Sequence, residues 1–194
     1  MDTPAPALSE TPSNPALGWV GLGLSALLLS SCFGLFLVLS RTPLLSPWLA
    51  ATTTGFSRAL VYHVDFAVLI WFLSMAGALI THGGNSSRRL WHRVALVLTW
   101  GGTVILLAAG MEGDGQAVLS NYVPVLNTPL FIMGLSLLWL AACTLALHGV
   151  FTLWAPWNLL RQAPVQAGVL AGSFAWLAAM AAFLLVFQRF DGTP

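Results

Sequence analysis

The side chains in this sequence able to do chemistry are few, and most lie inside or at the edges of long apolar runs: His63, His82, His92 and His148, the carboxyl of Asp65, and the thiols of Cys32 and Cys143. An ionisable group in such a run costs several kcal/mol unless something satisfies it, so each is a candidate for function. The most informative stretch is Tyr62-His63-Val64-Asp65-Phe66, near the start of the second apolar run. Helical steps from His63 place Ala67, Ile70, Ser74, Gly77 and Thr81 on its face, with Leu69, Phe72, Leu73, Ala76 and Ile80 mostly opposite. Small residues let a neighbouring helix or a flat macrocycle approach, and the bulky face suits lipid. A neutral imidazole on such a face is a competent axial ligand for heme iron. The same spacing suits a histidine at the membrane interface that hydrogen-bonds a nearby segment.

The remaining candidates divide by position. Asp65 falls about 200° round the helix from His63, too far to orient that ring, and Arg58, two turns away on the same side, is the cation expected to neutralise it in part. His148 lies near the end of the fourth run, below Thr144, Ala141 and Gly134, separated from His63 by much of the membrane thickness. These two histidines cannot clamp one iron. His148 is expected to snorkel or to bond a partner helix, with a proton path or a separate cofactor as the sharper readings. His82 and His92 flank an arginine-rich loop and read as solvated. Cys32 and Cys143 read as small packing residues. The polar connection from Met111 to Pro129 reads as a turn, its Glu112 and Asp114 too weak a field to dock a basic donor on their own. No phosphate-binding loop, Gly-x-Ser-x-Gly, His-Glu-x-x-His or Cys-His heme-attachment motif occurs.

The elements that must position these residues follow from composition. Of 194 residues 58% are hydrophobic and 7% charged, against about 25% charged in an ordinary soluble domain, which excludes a soluble globular enzyme. All seven basic residues are arginine and the net charge is +1, so no basic surface exists for nucleic acid. Apolar runs of about 20 residues span a hydrocarbon core of roughly 30 Å. Five are expected: 18–40, 59–81, 94–111, 129–153 and 165–188. Each must be a helix, since a lone strand in lipid leaves its backbone unpaired. Pro43 and Pro47, Gly83 and Gly84, Gly113, Gly115 and Pro124, then Pro156 and Pro164 interrupt them. The expected fold is therefore all-α, a polytopic membrane bundle of five transmembrane helices over residues 16–190. Residues 1–15, rich in proline and without a basic start, read as a retained, disordered tail. Trp19, Trp48, Trp91, Trp154 and Trp157 read as interfacial anchors; Trp71, Trp100, Trp139 and Trp176 lie deeper, in helix packing or against a flat cofactor. Arg88, Arg89, Arg93 and Arg161 on one side outweigh Arg41, Arg58 and Arg189 on the other, which puts the N-terminus in the cytoplasm.

With these spans in place, Tyr62-His63-Val64-Asp65-Phe66, the stretch Asn121-Tyr-Val-Pro-Val-Leu-Asn-Thr-Pro129-Leu-Phe131 and the hydropathy resemble subunit I of the heme-copper oxidases, with the divergent oxidases and nitric oxide reductases as the nearest branches. The resemblance covers nearly the whole chain but only the N-terminal part of that larger subunit. It implies a multi-pass protein of the bacterial inner membrane in which His63 is one axial ligand of a low-spin heme, b- or a-type, near the outer side. The second axial histidine, the copper ligands and the high-spin heme ligand of the family come from later helices. The resemblance therefore implies no copper site and no complete catalytic centre in this chain. It also implies partner subunits carrying the missing helices, and a cytochrome c or quinol donor. A heme-free scaffold or assembly protein of a respiratory complex is the alternative. A small transporter is disfavoured by the absence of broken, repeated helices.

Overall fold

The computed structural model describes residues 16–43, 53–83, 89–112, 115–119, 124–153 and 164–190. The expected tail at 1–15, and Trp48, Trp154 and Trp157, lie outside them. The chain is helical almost throughout: α1 (Ala16–Arg41), α2 (Thr53–Val64), a π-helical segment (Asp65–Ile70), α3 (Trp71–Gly83), α4 (Arg89–Ala109), α5 (Pro129–Leu153) and α6 (Pro164–Phe190). Among the described residues four stretches are long and apolar enough to cross a membrane: Ala16–Arg41, Thr54–Thr81, Leu90–Ala109 and Pro129–Phe151. Within α6 the apolar stretch among the described residues is Ala167–Ala179. Two strands of two residues each, β1 (Ala117–Val118) and β2 (Val125–Leu126), pair antiparallel between α4 and α5, with Ala117 opposite Leu126. The connection from Met111 to Pro129 is thus a short hairpin where a plain turn was expected. Its backbone groups pair with each other at the end of the bundle.

Local chemistry sets the ends and the interior. Thr128 accepts the Phe131 amide at 3.2 Å through its hydroxyl, and Pro129 fills the first helical position where no amide is needed, so α5 starts there. Hydroxyls inside the bundle bond back to the carbonyl four residues earlier: Ser74 to Ile70, Thr99 to Ala95, Thr103 to Thr99. That satisfies them where the surroundings supply no water.

Packing runs as two helix pairs that meet along their length. α1 lies along the α2–π–α3 rod, and α4 packs closely on α5, which also carries α6. Small residues permit both close approaches. A methyl group at Gly102 would stand 2.9 Å from the carbonyl oxygen of Gly134, so α4 and α5 touch backbone to backbone. The Trp19 indole occupies the place where a Gly77 side chain would be. Trp19 is wholly buried there, and so is a core residue and not the interfacial anchor expected. Trp91, 43% exposed, keeps the anchoring position. Trp100, Trp139 and Trp176 point outward from the bundle, each more than a third exposed, while Trp71 is half-buried and packs edge-on to Phe72. One core cluster, around Tyr62, Phe66, Ile70, Leu106, Phe131 and Leu138, joins the two pairs on the hairpin side. A second, of Trp19, Ile80, Ala95 and Leu145, joins them at the opposite end. Cys32 is exposed on α1 and does not pack, whereas Cys143 is half-buried.

Candidate functional site

His63 sits in the last turn of α2, half-buried against α1. Three small residues of α1 make room for the rod. Gly23 meets Ser74 and Met75, and Ser30 and Gly34 meet His63 itself. A methyl group at Gly34 would lie 2.9 Å from His63 Cε1, closer than van der Waals contact allows. The small-residue face read from the sequence is thus the face that α1 covers, through His63, Ser74 and Gly77. The bulky face divides. Phe72 is 60% exposed as expected, but Ile80 is buried, and Leu69 and Leu73 pack against the core clusters, because that flank of the rod meets α4 and α5.

The imidazole is oriented from one side. His63 Nδ1 lies 2.9 Å from the Ser30 carbonyl oxygen and 3.0 Å from the Ser30 hydroxyl, and that hydroxyl donates to the His63 carbonyl at 2.8 Å. A carbonyl oxygen can only accept, so in the neutral ring Nδ1 carries the proton and donates it. The lone pair is then on Nε2, and none of the His63 hydrogen bonds uses that atom. A histidine held by its Nδ1–H on a backbone carbonyl, with Nε2 left to coordinate, is the usual second-shell arrangement of a metal-bound imidazole. The residues therefore fit a single axial ligand to heme iron. Among the described residues no three His, Cys, Asp or Glu side chains gather to hold a metal ion.

Around His63 the hairpin end is aromatic. Tyr62 stacks on Phe33 with ring centroids 5.2 Å apart and meets Phe131 edge-on at 6.1 Å, while its hydroxyl donates to the Leu106 carbonyl at 2.6 Å. These contacts tie α2 to α1, α4 and α5 next to the imidazole. Arg41, at the end of α1, lies over the Phe56 ring at 4.5 Å.

Asp65 departs from expectation. Arg58 turns to the hairpin and donates from Nε to the Gly115 carbonyl at 3.0 Å. Asp65 lies at the start of the π segment, 1% exposed, and neither carboxyl oxygen has a hydrogen-bond partner among the described residues. The expected neutralisation by Arg58 is therefore not made, because the arginine is held by the hairpin while Asp65 faces the core. The hydropathy pattern gives no sign of a π segment, which adds one residue without altering the apolar run.

At the other end of the bundle, His92 is 4% exposed, a correction to the solvated reading. It lies just inside α4, and its ring meets that of His148, 1% exposed on α5, with centroids 4.7 Å apart and planes at 82°. His148 thus meets a partner helix, as one of its readings had it. The side chain of His82 lies outside those described. The sequence places His92 and His148 far apart in the chain, and only the antiparallel pairing of α4 with α5 brings them together.

Comparison with known proteins adds little about function. No family model matches the chain, and no solved structure matches it. An uncharacterized protein of Rickettsia prowazekii (strain Madrid E) is 29% identical over 147 residues, an alignment covering 63% of this chain. The chain spans only 28% of that relative's length.

Proposed function

We propose that this chain is a heme-binding component of a heme-copper oxidase-like respiratory complex, in which His63 supplies one axial ligand to a low-spin heme of b or a type. The observation that carries the reading is the state of the His63 ring: Nδ1–H committed to the Ser30 carbonyl, Nε2 outside all of its hydrogen bonds, and the ring edge seated against Gly34 of α1. A bound heme would supply one-electron transfer between a cytochrome c or quinol donor and a terminal oxygen- or nitric oxide-reducing centre. The protein's own part is narrower. Ser30 holds the ring orientation and tautomer, the Phe33, Tyr62, Phe66 and Phe131 cluster keeps the neighbourhood dry, and the close fit of α1 on α2 keeps the ligand from swinging.

The second axial histidine and the reductase centre belong to helices outside these 194 residues. In this reading α6 is the fifth membrane span, the protein lies in the bacterial inner membrane, and the arginines at the end opposite the hairpin face the cytoplasm. His63 then sits toward the outer side, where the resemblance to oxidase subunit I expects its low-spin heme.

A second reading has one observation in its favour. The Ser30–His63 hydrogen bonds also clip α1 to α2, which is all that a heme-free scaffold of a respiratory complex needs from this histidine. A reduced-minus-oxidised spectrum of the complex purified from native membranes separates the two. The heme reading expects a low-spin band at one heme per chain that His63→Ala removes while the protein still inserts. An intact, partner-bound sample without heme, or a spectrum unchanged in His63→Ala, overturns it in favour of the scaffold.

A further inference from the structure

We propose that His92 and His148 form a site for a divalent transition-metal ion at the end of the bundle opposite the hairpin, separate from His63. The geometry comes first. Two imidazoles bound through one nitrogen each, at about 2.0–2.1 Å from a metal and roughly 90–110° apart, bring their ring centres to about 4.5–5.3 Å. The observed separation is 4.7 Å, with the rings crossed at 82°. A linear two-coordinate ion would hold the centres more than an ångström further apart, so the pair suits a tetrahedral or tetragonal site. Imidazole donors in that arrangement match Zn(II), Co(II) or Cu(II).

The surroundings point the same way. His92 Nδ1, the Thr81 hydroxyl and the Trp19 indole N–H are buried at this end and make no hydrogen bond among the described residues. The end of α3 packs beside the pair: Ile80 comes within 3.7 Å of where a side chain on Gly149 would begin, and Gly149 follows His148. Buried polar groups are nearly always satisfied, and a cluster without protein partners marks a place where a ligand or ordered solvent completes the set. No third His, Cys, Asp or Glu among the described residues joins the pair. The other coordination positions therefore go to solvent oxygen donors.

Both histidines also lie near the ends of their helices. His92 is three residues from the start of α4 and His148 five from the end of α5, about 4.5 and 7.5 Å along the helix axes. Ligand exchange is all that the site requires: neutral imidazole nitrogens replace two of the ion's waters, and no electron moves.

The test uses the full chain without a histidine tag, stripped of metal and placed in lipid nanodiscs, with Cu(II) and Co(II) as probes. One equivalent of Cu(II) should bind and show paramagnetic-resonance coupling to two imidazole nitrogens, a readout that needs no variant. His92→Gln and His148→Gln should each weaken Co(II) binding at least tenfold, while Ser136→Ala, exposed on α5 away from both histidine sites, should leave it unchanged. A copper signal without imidazole coupling, binding unaltered in both histidine variants, or binding lost equally in Ser136→Ala would each overturn the proposal. The two-nitrogen coupling and its loss in the His92 and His148 variants are read separately from the heme band, so the site stands or falls apart from the heme reading.

Discussion

At the scale of single residues, Asp65 carries the sharpest energetic statement. A buried polar group left without a partner forfeits its hydration and gains nothing in exchange, and the effect is larger for a carboxyl than for an amide or hydroxyl. Replacing such a group by an apolar residue of similar volume is commonly neutral or stabilising. Asp65→Leu is therefore expected to raise stability by about 1–3 kcal/mol, read as a higher unfolding midpoint in detergent. A marked loss of stability would mean that Asp65 has a partner outside the described residues. His63 itself was legible in the sequence, as an imidazole on a face of small residues. Its partner was not, because Ser30 lies 33 positions away on another helix and looks like any serine in an apolar run. Arg58 was misassigned for a related reason: helical spacing points it at Asp65, but the Gly115 carbonyl that captures it belongs to a hairpin the spacing cannot show.

At the scale of elements, the fit of α1 on α2 is the feature that the His63 geometry depends on. Gly34 leaves the imidazole in contact with a helix backbone, and a valine there would drive its methyl groups into Cε1. Overpacking of this kind typically costs about 1–3 kcal/mol. Gly34→Val should therefore displace the ring from the Ser30 carbonyl and broaden or remove the low-spin heme band. Gly21→Val, on an open stretch of the same helix, should leave the band intact, so the pair of variants separates a local from a general effect. Equal spectra in the two would show that the Gly34 contact does not set the ligand. Helix positions were readable because apolar runs and prolines bound them, and Pro129 begins α5 as expected. The π segment and the hairpin were not: one is a single extra residue within a run, and the other consists of strands of two residues, too short to show alternation.

At the scale of the whole molecule, the two ends of the bundle differ in kind. The hairpin end holds His63, the aromatic cluster, Arg41 and Arg58, whereas the opposite end holds the His92–His148 pair and the first turns of α4 with Arg89 and Arg93. Which end faces the cytoplasm decides what each histidine can meet. Short loops rich in arginine stay on the cytoplasmic side, so the Arg88, Arg89 and Arg93 group should be inside and the hairpin outside. With Cys32 and Cys143 replaced by alanine, a cysteine at Val118 in the hairpin should react with a membrane-impermeant maleimide added to intact spheroplasts. One at Arg93 should react only after lysis, since both positions are exposed and differ in side alone. The reverse pattern would place His63 near the cytoplasmic face, remove the agreement in depth with the low-spin heme of oxidase subunit I, and turn the His92–His148 pair toward extracytoplasmic metal. Under the heme reading proposed above, the expected pattern puts His63 on the side of an external electron donor and the histidine pair on the cytoplasmic side, an arrangement one bundle can hold because its helices join the ends without joining the sites.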